Sequence, residues 1–443
     1  MATTHTPQDF SGRLRRVDAP AFIRQANPLV RILPLILLGY SVLLPAQIQV
    51  SLAGQMFDAP RIVCIALLPW MLARIARGAL QPTAVDILVL FSGAWMILSF
   101  LNWYGAEDGL LRGTALAIDV VLPYLIARLC VQDMNDFRRM LIVMLPGIMA
   151  AGIIMAMEAL SHQLIIRPVM ESIFGRKVIN RGGESFGFVT FESNTRLGML
   201  RAFGPFAHPI LGGLFMASLL PMYFNSSLRG WPYVLGVMSA FFAIFTVSSA
   251  AMLGLVIAII LLSYDALQKR VIPLNWPMLL ITLTLLCIAI ELVSKDGLMH
   301  VIARRTLSPE TAFNRIRIWD YGTIAVEKYP WLGRGFTDIE RPRAMPPSID
   351  NHWLLLAIRH GMPAAFAALG ASILAIAAIT RRSLYPSPLD FKLAVGLAIT
   401  TSVLVINGFT VAFYSSGQCW YWLLIGVVAA LGYHLRSASR SAR

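Results

Sequence analysis

Apolar residues along this chain are gathered into long blocks separated by polar connections. The cores of the blocks lie at about 30–48, 54–73, 84–102, 115–132, 139–160, 208–224, 232–248, 250–266, 276–294, 352–380, 391–412 and 418–435. Each block is close to the ~20 residues that a helix needs to cross the ~30 Å hydrocarbon layer of a bilayer. The pattern therefore predicts an all-α polytopic membrane protein with about twelve transmembrane helices.

The blocks divide the chain into membrane segments, two long loops and two tails. The predicted order is a tail (1–28), five spans (29–160), a loop (161–207), four spans (208–294), a second loop (295–351), three spans (352–435) and a tail (436–443). With both termini in the cytoplasm, 19 of the 37 Lys and Arg residues fall on the inner side. The short outer loops then hold only Arg61 and Arg112, as the positive-inside rule requires.

Composition excludes several protein classes. Hydrophobic residues make up 57% of the chain and charged residues 14%, whereas a soluble domain carries about 25% charged residues. A soluble enzyme, a disulfide-rich secreted domain and a disordered protein are therefore excluded.

The net charge of +14 comes from loops between apolar blocks, without the basic and aromatic stripe of a nucleic-acid-binding module. The four cysteines lie in or beside apolar blocks and have no zinc-site spacing.

The two long loops depart from the usual charge distribution. On the predicted outer side, they carry six and nine basic residues against three and seven acidic ones. Loops of this length commonly carry function.

The second loop contains a predicted helix. Its apolar face is formed by residues at spacings of four and three, namely Ala312, Ile316, Trp319, Thr323 and Val326. Asn314 or Thr311 could cap this helix, and Pro330 ends it.

Three polar clusters in the outer loops are candidates for chemistry. They lie at 201–209, at 315–335 and at 348–354. The candidate catalytic residues are His352, Asp350 and Arg315. The candidate substrate-binding residues are Arg201, Arg317, Arg334, Arg341, Asn351, His208, Asp320 and Tyr321. Guanidinium groups suit a phosphate-bearing ligand, because they bind its oxygens in pairs and stay charged.

Structural explanations compete with each of these assignments. Arginines beside a membrane often bind lipid headgroups, a lone G-x-G is commonly a turn, and a histidine before a proline is commonly a cap. Charges inside the apolar blocks, at Asp86, Asp119, Glu158 and Arg359, suggest function by default, although Arg359 could equally pair locally.

The order of the clusters resembles the bacterial O-antigen ligase and polymerase family, the Wzy-type and WaaL-type membrane glycosyltransferases of GT-C-like architecture. The family's motifs correspond here to Arg201 through Pro209 (R-x-x-G-x-F-x-x-P), Arg315 through Trp319 (R-x-x-x-W), Pro330 through Gly335 (P-x-x-G-x-G) and the polar residues 350–352 before a span. The resemblance covers residues 195–365.

Two departures from the family pattern affect the assignment of roles. Ser248-Ser249 stands where the family often has a Ser-Arg-Gly motif, so one phosphate-binding arginine is missing. The family's His-Asn pair is also shifted: with Asn351 held in register, Asp350 takes the histidine position, and otherwise the histidine is His352. Either residue could be the base.

The resemblance implies a donor glycan on undecaprenyl diphosphate at the periplasmic face of the inner membrane, and it implies no metal or other cofactor. Arg201, Arg315 and Arg317 are expected to stabilise the leaving diphosphate, with Arg334 and Arg341 as secondary candidates. Asp350 or His352 would orient or deprotonate the acceptor hydroxyl. The Asp-Asn-x-Trp-Leu sequence favours a polymerase, whose expected partners are a flippase and a chain-length regulator.

Other functions are open at this point. A ligase that transfers finished glycan to lipid A core or to protein differs only in its acceptor. A twelve-helix secondary transporter would match the span count, but the two halves show no internal repeat. A structural subunit of an envelope complex would also explain lipid-binding arginines. Membrane lipids are expected partners in every case, and nucleic acid is not.

Overall fold

The structure is a computed structural model that describes residues 28–52, 55–174, 179–181, 184–186, 195–268, 270, 276–294, 309–342, 345 and 348–441. It is mostly helical, as expected of an all-α membrane protein. The predicted N-terminal tail lies outside the described residues except for Pro28.

The helices, numbered along the chain, are α1 (Pro28–Val42), α2 (Ala59–Ala66), α3 (Leu68–Ala76), α4 (Ala84–Cys130), α5 (Met134–Ser161), α6 (Ile166–Phe174), α7 (Pro209–Phe224), α8 (Trp231–Phe241), α9 (Ser249–Gln268), α10 (Trp276–Val293), α11 (Pro309–Lys328), α12 (His352–His360), α13 (Met362–Ile379), α14 (Pro388–Asn407) and α15 (Ser415–Ser441). Short 3₁₀ helices follow α8 (Phe242–Thr246) and α13 (Arg382–Leu384).

Three antiparallel hairpins connect helices. They are β1 (Gln49–Leu52) with β2 (Gln55–Asp58), β3 (Ile179–Arg181) with β4 (Glu184–Phe186), and β5 (Thr195–Arg196) with β6 (Met199–Leu200). In the last hairpin Thr195 pairs with Leu200 and Arg196 with Met199.

Seven of the described helices are long and apolar enough to cross a membrane. They are Ala59–Ala76 (α2 with α3), Ala84–Cys130, Met134–Ser161, Ser249–Gln268, Met362–Ile379, Pro388–Asn407 and Ser415–Ala438. Three shorter apolar helices, Pro28–Val42, Pro209–Phe224 and Trp231–Thr246, accompany them. Each predicted core overlaps a described helix, and the crossing of all twelve remains a prediction.

The long helix α4 is a helical hairpin. Gly105 takes the left-handed φ of 75°, which reverses the chain between the predicted cores 84–102 and 115–132. Gly93 and Gly109 then allow the two arms to touch. A Cβ at Gly109 would lie 2.4 Å from the carbonyl oxygen of Phe100, and one at Gly93 would lie 2.6 Å from the side chain of Val121.

Ion pairs explain most of the charges inside apolar segments. Arg128 Nε lies 3.2 Å from Asp86 Oδ1, which also accepts a hydrogen bond from Tyr124 at 2.6 Å. Arg61 pairs with Asp119 at 2.5 Å. Because each pair brings opposite charges together, these helices can enter a low-dielectric environment.

Helix α11 confirms the predicted helix of the second loop but differs in its start and its buried face. It begins at Pro309, so the predicted caps Asn314 and Thr311 are wrong. Proline suits the first turn, where its missing N–H has no helical partner. The buried face centres on Ile318, Gly322 and Ala325, one position away from the predicted stripe.

Gly322 determines which face of α11 packs against α12, because a Cβ there would lie 2.6 Å from Leu354 of α12. The missing side chain lets α11 approach α12 closely. A small core of Ile318, Ala325, Ile339, Met345, Leu354 and Ile358 fills the contact.

The residues 330–335, here called the glycine turn, fix α11 to the end of α12. Arg334 N donates to Ile358 O at 2.7 Å and Gly335 N donates to Arg359 O at 3.0 Å. Gly333 has a φ of 59°, and a Cβ on it would lie 2.4 Å from the backbone of Arg359. The motif therefore needs glycine for backbone packing.

Helix α4 holds the other side of the glycine turn. Ser99 donates to Leu332 O at 2.5 Å, while the indole N–H groups of Trp95 and Trp103 donate at 2.9 Å to the carbonyls of residues 331 and 333. The glycine turn is thus joined to α12 by main-chain hydrogen bonds and to α4 by side chains that donate to its carbonyl oxygens.

Replacing Gly333 with Ala should destabilise the protein by about 3 kcal/mol or more, because left-handed strain and overpacking each cost about 1–3 kcal/mol. Gly78 has a similar φ of 74° with open space around it. Gly78→Ala should therefore cost only about 1–2 kcal/mol. Thermal unfolding in detergent compares the variants, and equal losses would contradict the packing role.

Candidate functional site

Residues 201–208 form a buried, non-helical segment between the β5–β6 hairpin and α7. Ala202 N donates to Phe245 O at 3.0 Å, and Pro205 O accepts from Ala46 N at 2.9 Å. The segment is thereby attached to the end of α8 and to the connection after α1. At its end, His208 caps α7 by accepting from Ile210 N through Nδ1 at 3.2 Å.

Arg201 begins this segment and is only 8% exposed. Its Nε donates to Thr246 O at 3.3 Å. Its Nη2 is buried and has no hydrogen-bond partner among the described residues. A buried guanidinium nitrogen without a partner is costly, so this atom is a natural contact for an anionic ligand.

Arg201 is surrounded by charges from three other segments. Burial lowers the pKa of Arg201 to about 10; the charge of Arg196 acts in the same direction, whereas Asp350 and Tyr414 oppose it. Burial lowers the pKa of Arg315 as well, with Asp350 opposing and Arg196 adding to the effect. We call Arg196, Arg201, Arg315, Asp350 and Tyr414 the arginine cluster.

Among the described residues, the charges of the arginine cluster do not balance. It contains three guanidinium groups and one carboxylate, which together carry a net charge of about +2 when all four groups are ionised. Repulsion among the cations is relieved when an anion of similar charge enters. The arrangement therefore suits a phosphate or diphosphate ligand, for which arginine has the matching fork geometry.

Two members of the arginine cluster were not among the sequence candidates. Arg196 stands before Leu197 and Gly198, whose φ values of 54° and 75° form the tight turn of the β5–β6 hairpin. The sequence signal that could have indicated this turn is a pair of residues ending in glycine, Leu197-Gly198, between two short strands. Tyr414 lies before α15, and nothing in the sequence connects that position with Arg201.

Asn351 and His352 have structural contacts at the start of α12. Asn351 is its N-cap and accepts from Leu354 N at 3.0 Å. The His352 ring lies 4.8 Å from Phe413 and 5.1 Å from Trp353, measured between ring centroids. Both His352 ring nitrogens are buried and lack a partner in the part of the chain that the structure describes. Asp350, by contrast, is half-exposed.

The remaining candidate arginines contact neighbouring side chains. Arg317 stacks on Phe313 at 4.2 Å and Arg334 on Tyr329 at 5.3 Å, both measured from the guanidinium carbon to the ring centroid. Arg341 pairs with Asp338.

The other two candidates lie on α11. Asp320 is exposed, and Tyr321 packs against the small core beneath the helix. Across the described residues, no group of three His, Cys, Asp or Glu side chains is close enough to hold a metal ion.

Residues 234–369 match the family model described as O-Antigen ligase. The match confirms the resemblance to the O-antigen ligase and polymerase family, and it supports a multi-pass membrane enzyme of the glycosyltransferase type. No curated protein matches the chain.

The matched segment, residues 234–369, runs from α8 into α13 and covers less than half of the chain. It contains Arg315, the glycine turn and Asp350. Arg196, Arg201 and Tyr414 lie outside it. The arginine cluster therefore joins the matched segment to parts of the chain on either side of it.

The lowered pKa of Arg201 leads to a testable pH dependence. Arg201 loses its charge as the pH rises through about 10, so the affinity for inorganic pyrophosphate should fall across that range. Arg201→Ala should bind more weakly at pH 8 and show a smaller step, whereas Arg229→Ala, at an exposed position, should retain the full step. Calorimetry in lipid nanodiscs measures the affinities. A step of the same size in Arg201→Ala and wild type would contradict the assignment.

Proposed function

We propose that this protein is a glycosyltransferase that polymerises oligosaccharide repeat units linked to undecaprenyl diphosphate, producing an exopolysaccharide or O-antigen. The observation that carries the proposal is the arginine cluster, with net positive charge and an unpartnered guanidinium nitrogen, beside a segment that matches O-antigen ligase.

We place the protein in the bacterial inner membrane with twelve spans, both termini in the cytoplasm and the arginine cluster at the periplasmic face. The positive-inside distribution of Lys and Arg supports this orientation. Undecaprenyl diphosphate carries its charge at the membrane surface, so a basic site there can reach the leaving group without extracting the lipid.

In the proposed reaction, a hydroxyl oxygen of the acceptor sugar attacks the anomeric carbon of the donor. The bond between that carbon and the diphosphate oxygen breaks, and both bonding electrons leave with the diphosphate. Arg201, Arg315 and Arg196 stabilise the developing negative charge. The hydroxyl proton passes to the base, and no metal ion is needed in this scheme.

Asp350 is the better candidate for the base. It is half-exposed and lies close to Arg201 and Arg315, so it can face the acceptor. His352 is enclosed by aromatic rings and is 2% exposed. Asn351 is then a positioning residue that caps α12. Substrate contacts of His208, Arg317, Arg334, Arg341, Asp320 and Tyr321 stay part of the proposal.

A ligase remains the alternative proposal, because it uses the same donor and differs only in acceptor. The Asp-Asn-x-Trp-Leu sequence at 350–354 favours the polymerase. A polymerase would work with a flippase that delivers lipid-linked units and with a chain-length regulator. A transporter is the weaker alternative, since it does not explain the match to O-antigen ligase.

Arg315→Ala should lower the rate of glycan transfer at least ~100-fold, as removal of one donor to a developing oxyanion does. Arg229→Ala is the matched control, because it removes an exposed arginine elsewhere in the chain. Both proteins should fold and reach the membrane. Unchanged polymer yield in Arg315→Ala would exclude the proposed role in leaving-group stabilisation.

The identity of the base can be tested with two substitutions, each of which removes one candidate basic group. Asp350→Asn should reduce the rate about 100-fold or more, the usual contribution of a general base. His352→Gln should retain activity and lose thermal stability, because its ring fills an aromatic core. The opposite result would assign the base to His352.

Polymerase and ligase are distinguished by supplying one acceptor at a time to purified protein in lipid. With lipid-linked repeat units alone, a polymerase makes a ladder of lengthening products on a gel. A ligase makes no ladder but modifies a lipid A core acceptor. If neither product forms, the proposed enzyme activity is wrong and a transporter or a structural subunit becomes the better explanation.

A further inference from the structure

Glu158, near the end of α5, is a fully buried carboxylate with 0% exposure. Its Oε2 accepts hydrogen bonds from Phe203 N at 2.9 Å and Gly204 N at 2.8 Å. Its Oε1 accepts from Ile165 N at 3.1 Å. Within the described residues it has no basic partner. The charge of Glu158 is therefore stabilised by main-chain N–H groups.

Phe203 and Gly204 offer two successive N–H groups to the same oxygen. Gly204 has a left-handed φ of 53°, and a Cβ on it would lie 2.6 Å from Met155 of α5. Successive N–H groups in such a turn form a concave site for an anion. In this protein the carboxylate of Glu158 occupies that site, so the turn is held against α5.

The segment held by Glu158 carries Arg201 two residues before Phe203. On the other side the 3₁₀ helix after α8 accepts two hydrogen bonds, from Arg201 Nε to Thr246 O at 3.3 Å and from Ala202 N to Phe245 O. Arg201 is thus held both through its own side chain and through the backbone that follows it. None of these contacts uses the Nη2 atom of Arg201, which stays available inside the site.

Glu158 also fixes the element that covers this segment. Its bond to Ile165 N holds the start of α6, from which Arg167 stacks on the Phe203 ring at 5.3 Å. Arg167 is itself oriented by Glu171, 2.7 Å away. Glu158 therefore holds the backbone of Phe203 and also the start of α6, which carries the Arg167 side chain that stacks on the Phe203 ring.

We propose that Glu158 is a positioning residue for the transfer reaction: it binds the 203–204 backbone so that Arg201 presents its free guanidinium nitrogen to the donor diphosphate. This inference rests on the proposed function for the identity of the ligand. The position of Arg201, however, can be measured without any substrate.

The substrate-free test compares Glu158→Gln with wild type and with Glu107→Gln, an exposed glutamate near the α4 turn. The amide of Gln cannot accept as strongly from three N–H groups. We expect faster hydrogen exchange at the amides of residues 203 and 204 and faster modification of Arg201 by phenylglyoxal. Glu107→Gln should match wild type. Unchanged exchange and labelling in Glu158→Gln would overturn the proposal.

The functional test is a double-mutant cycle on the affinity for undecaprenyl diphosphate in nanodiscs. Glu158→Gln should weaken binding about tenfold, the effect of disturbing one hydrogen bond to a charged group. In an Arg201→Ala background the same change should cause little further loss, since no guanidinium remains to be positioned. Additive losses would indicate a purely structural role and overturn the proposal.

If Glu158→Gln does not fold, Glu158→Asp replaces it in both tests. The shorter side chain keeps the charge but cannot reach all three N–H groups at once. If wild type fails to bind undecaprenyl diphosphate, the proposed function fails. The positioning of Arg201 is then decided by exchange and labelling alone.

Discussion

Repulsion between the buried Arg201 and its half-buried neighbour Arg196 is the constraint around which one end of this helical bundle is organised. Arg201, Arg196 and Arg315 come from a loop, a hairpin and a helix, and the charge of Arg196 lowers the pKa of both Arg201 and Arg315. Such cations separate unless their backbones are held firmly or an anion joins them. Asp350 offsets only part of the charge. The surrounding main chain therefore supplies the rigidity, and the remaining charge is left for a ligand.

The main chain that holds the arginine cluster is irregular backbone, buried between helices and fixed there by hydrogen bonds. In a bilayer, non-helical chain is tolerated only where its N–H and C=O groups are satisfied within the protein. The 201–208 segment forms hydrogen bonds to α5, to the 3₁₀ helix after α8 and to the connection after α1. The glycine turn does the same between α4, α11 and α12. Both irregular segments contain glycines with a positive φ. A Cβ at these positions would also lie too close to neighbouring atoms.

The charged residues of the apolar segments and of the arginine cluster belong to three groups with different consequences. Asp86 with Arg128, and Arg61 with Asp119, are neutralised in pairs and need nothing further. Glu158 is satisfied by backbone N–H groups alone. Within the described part of the chain, the cations of the arginine cluster are not balanced in this way. A charge that stays unbalanced after folding is the one able to bind a charged substrate.

The apolar pattern by itself predicted the helical class, a helix overlapping each core and the presence of α11, because hydrophobic period and length are local properties. It also placed Arg201, Arg315 and Asp350 in two loops on the same predicted side of the membrane. Only the tertiary structure decided which loop residues meet. Arg196 and Tyr414 joined the cluster through a hairpin and a distant helix start, and His352 turned inward against aromatic rings. Such contacts depend on packing between segments far apart in the chain, and no local pattern encodes them.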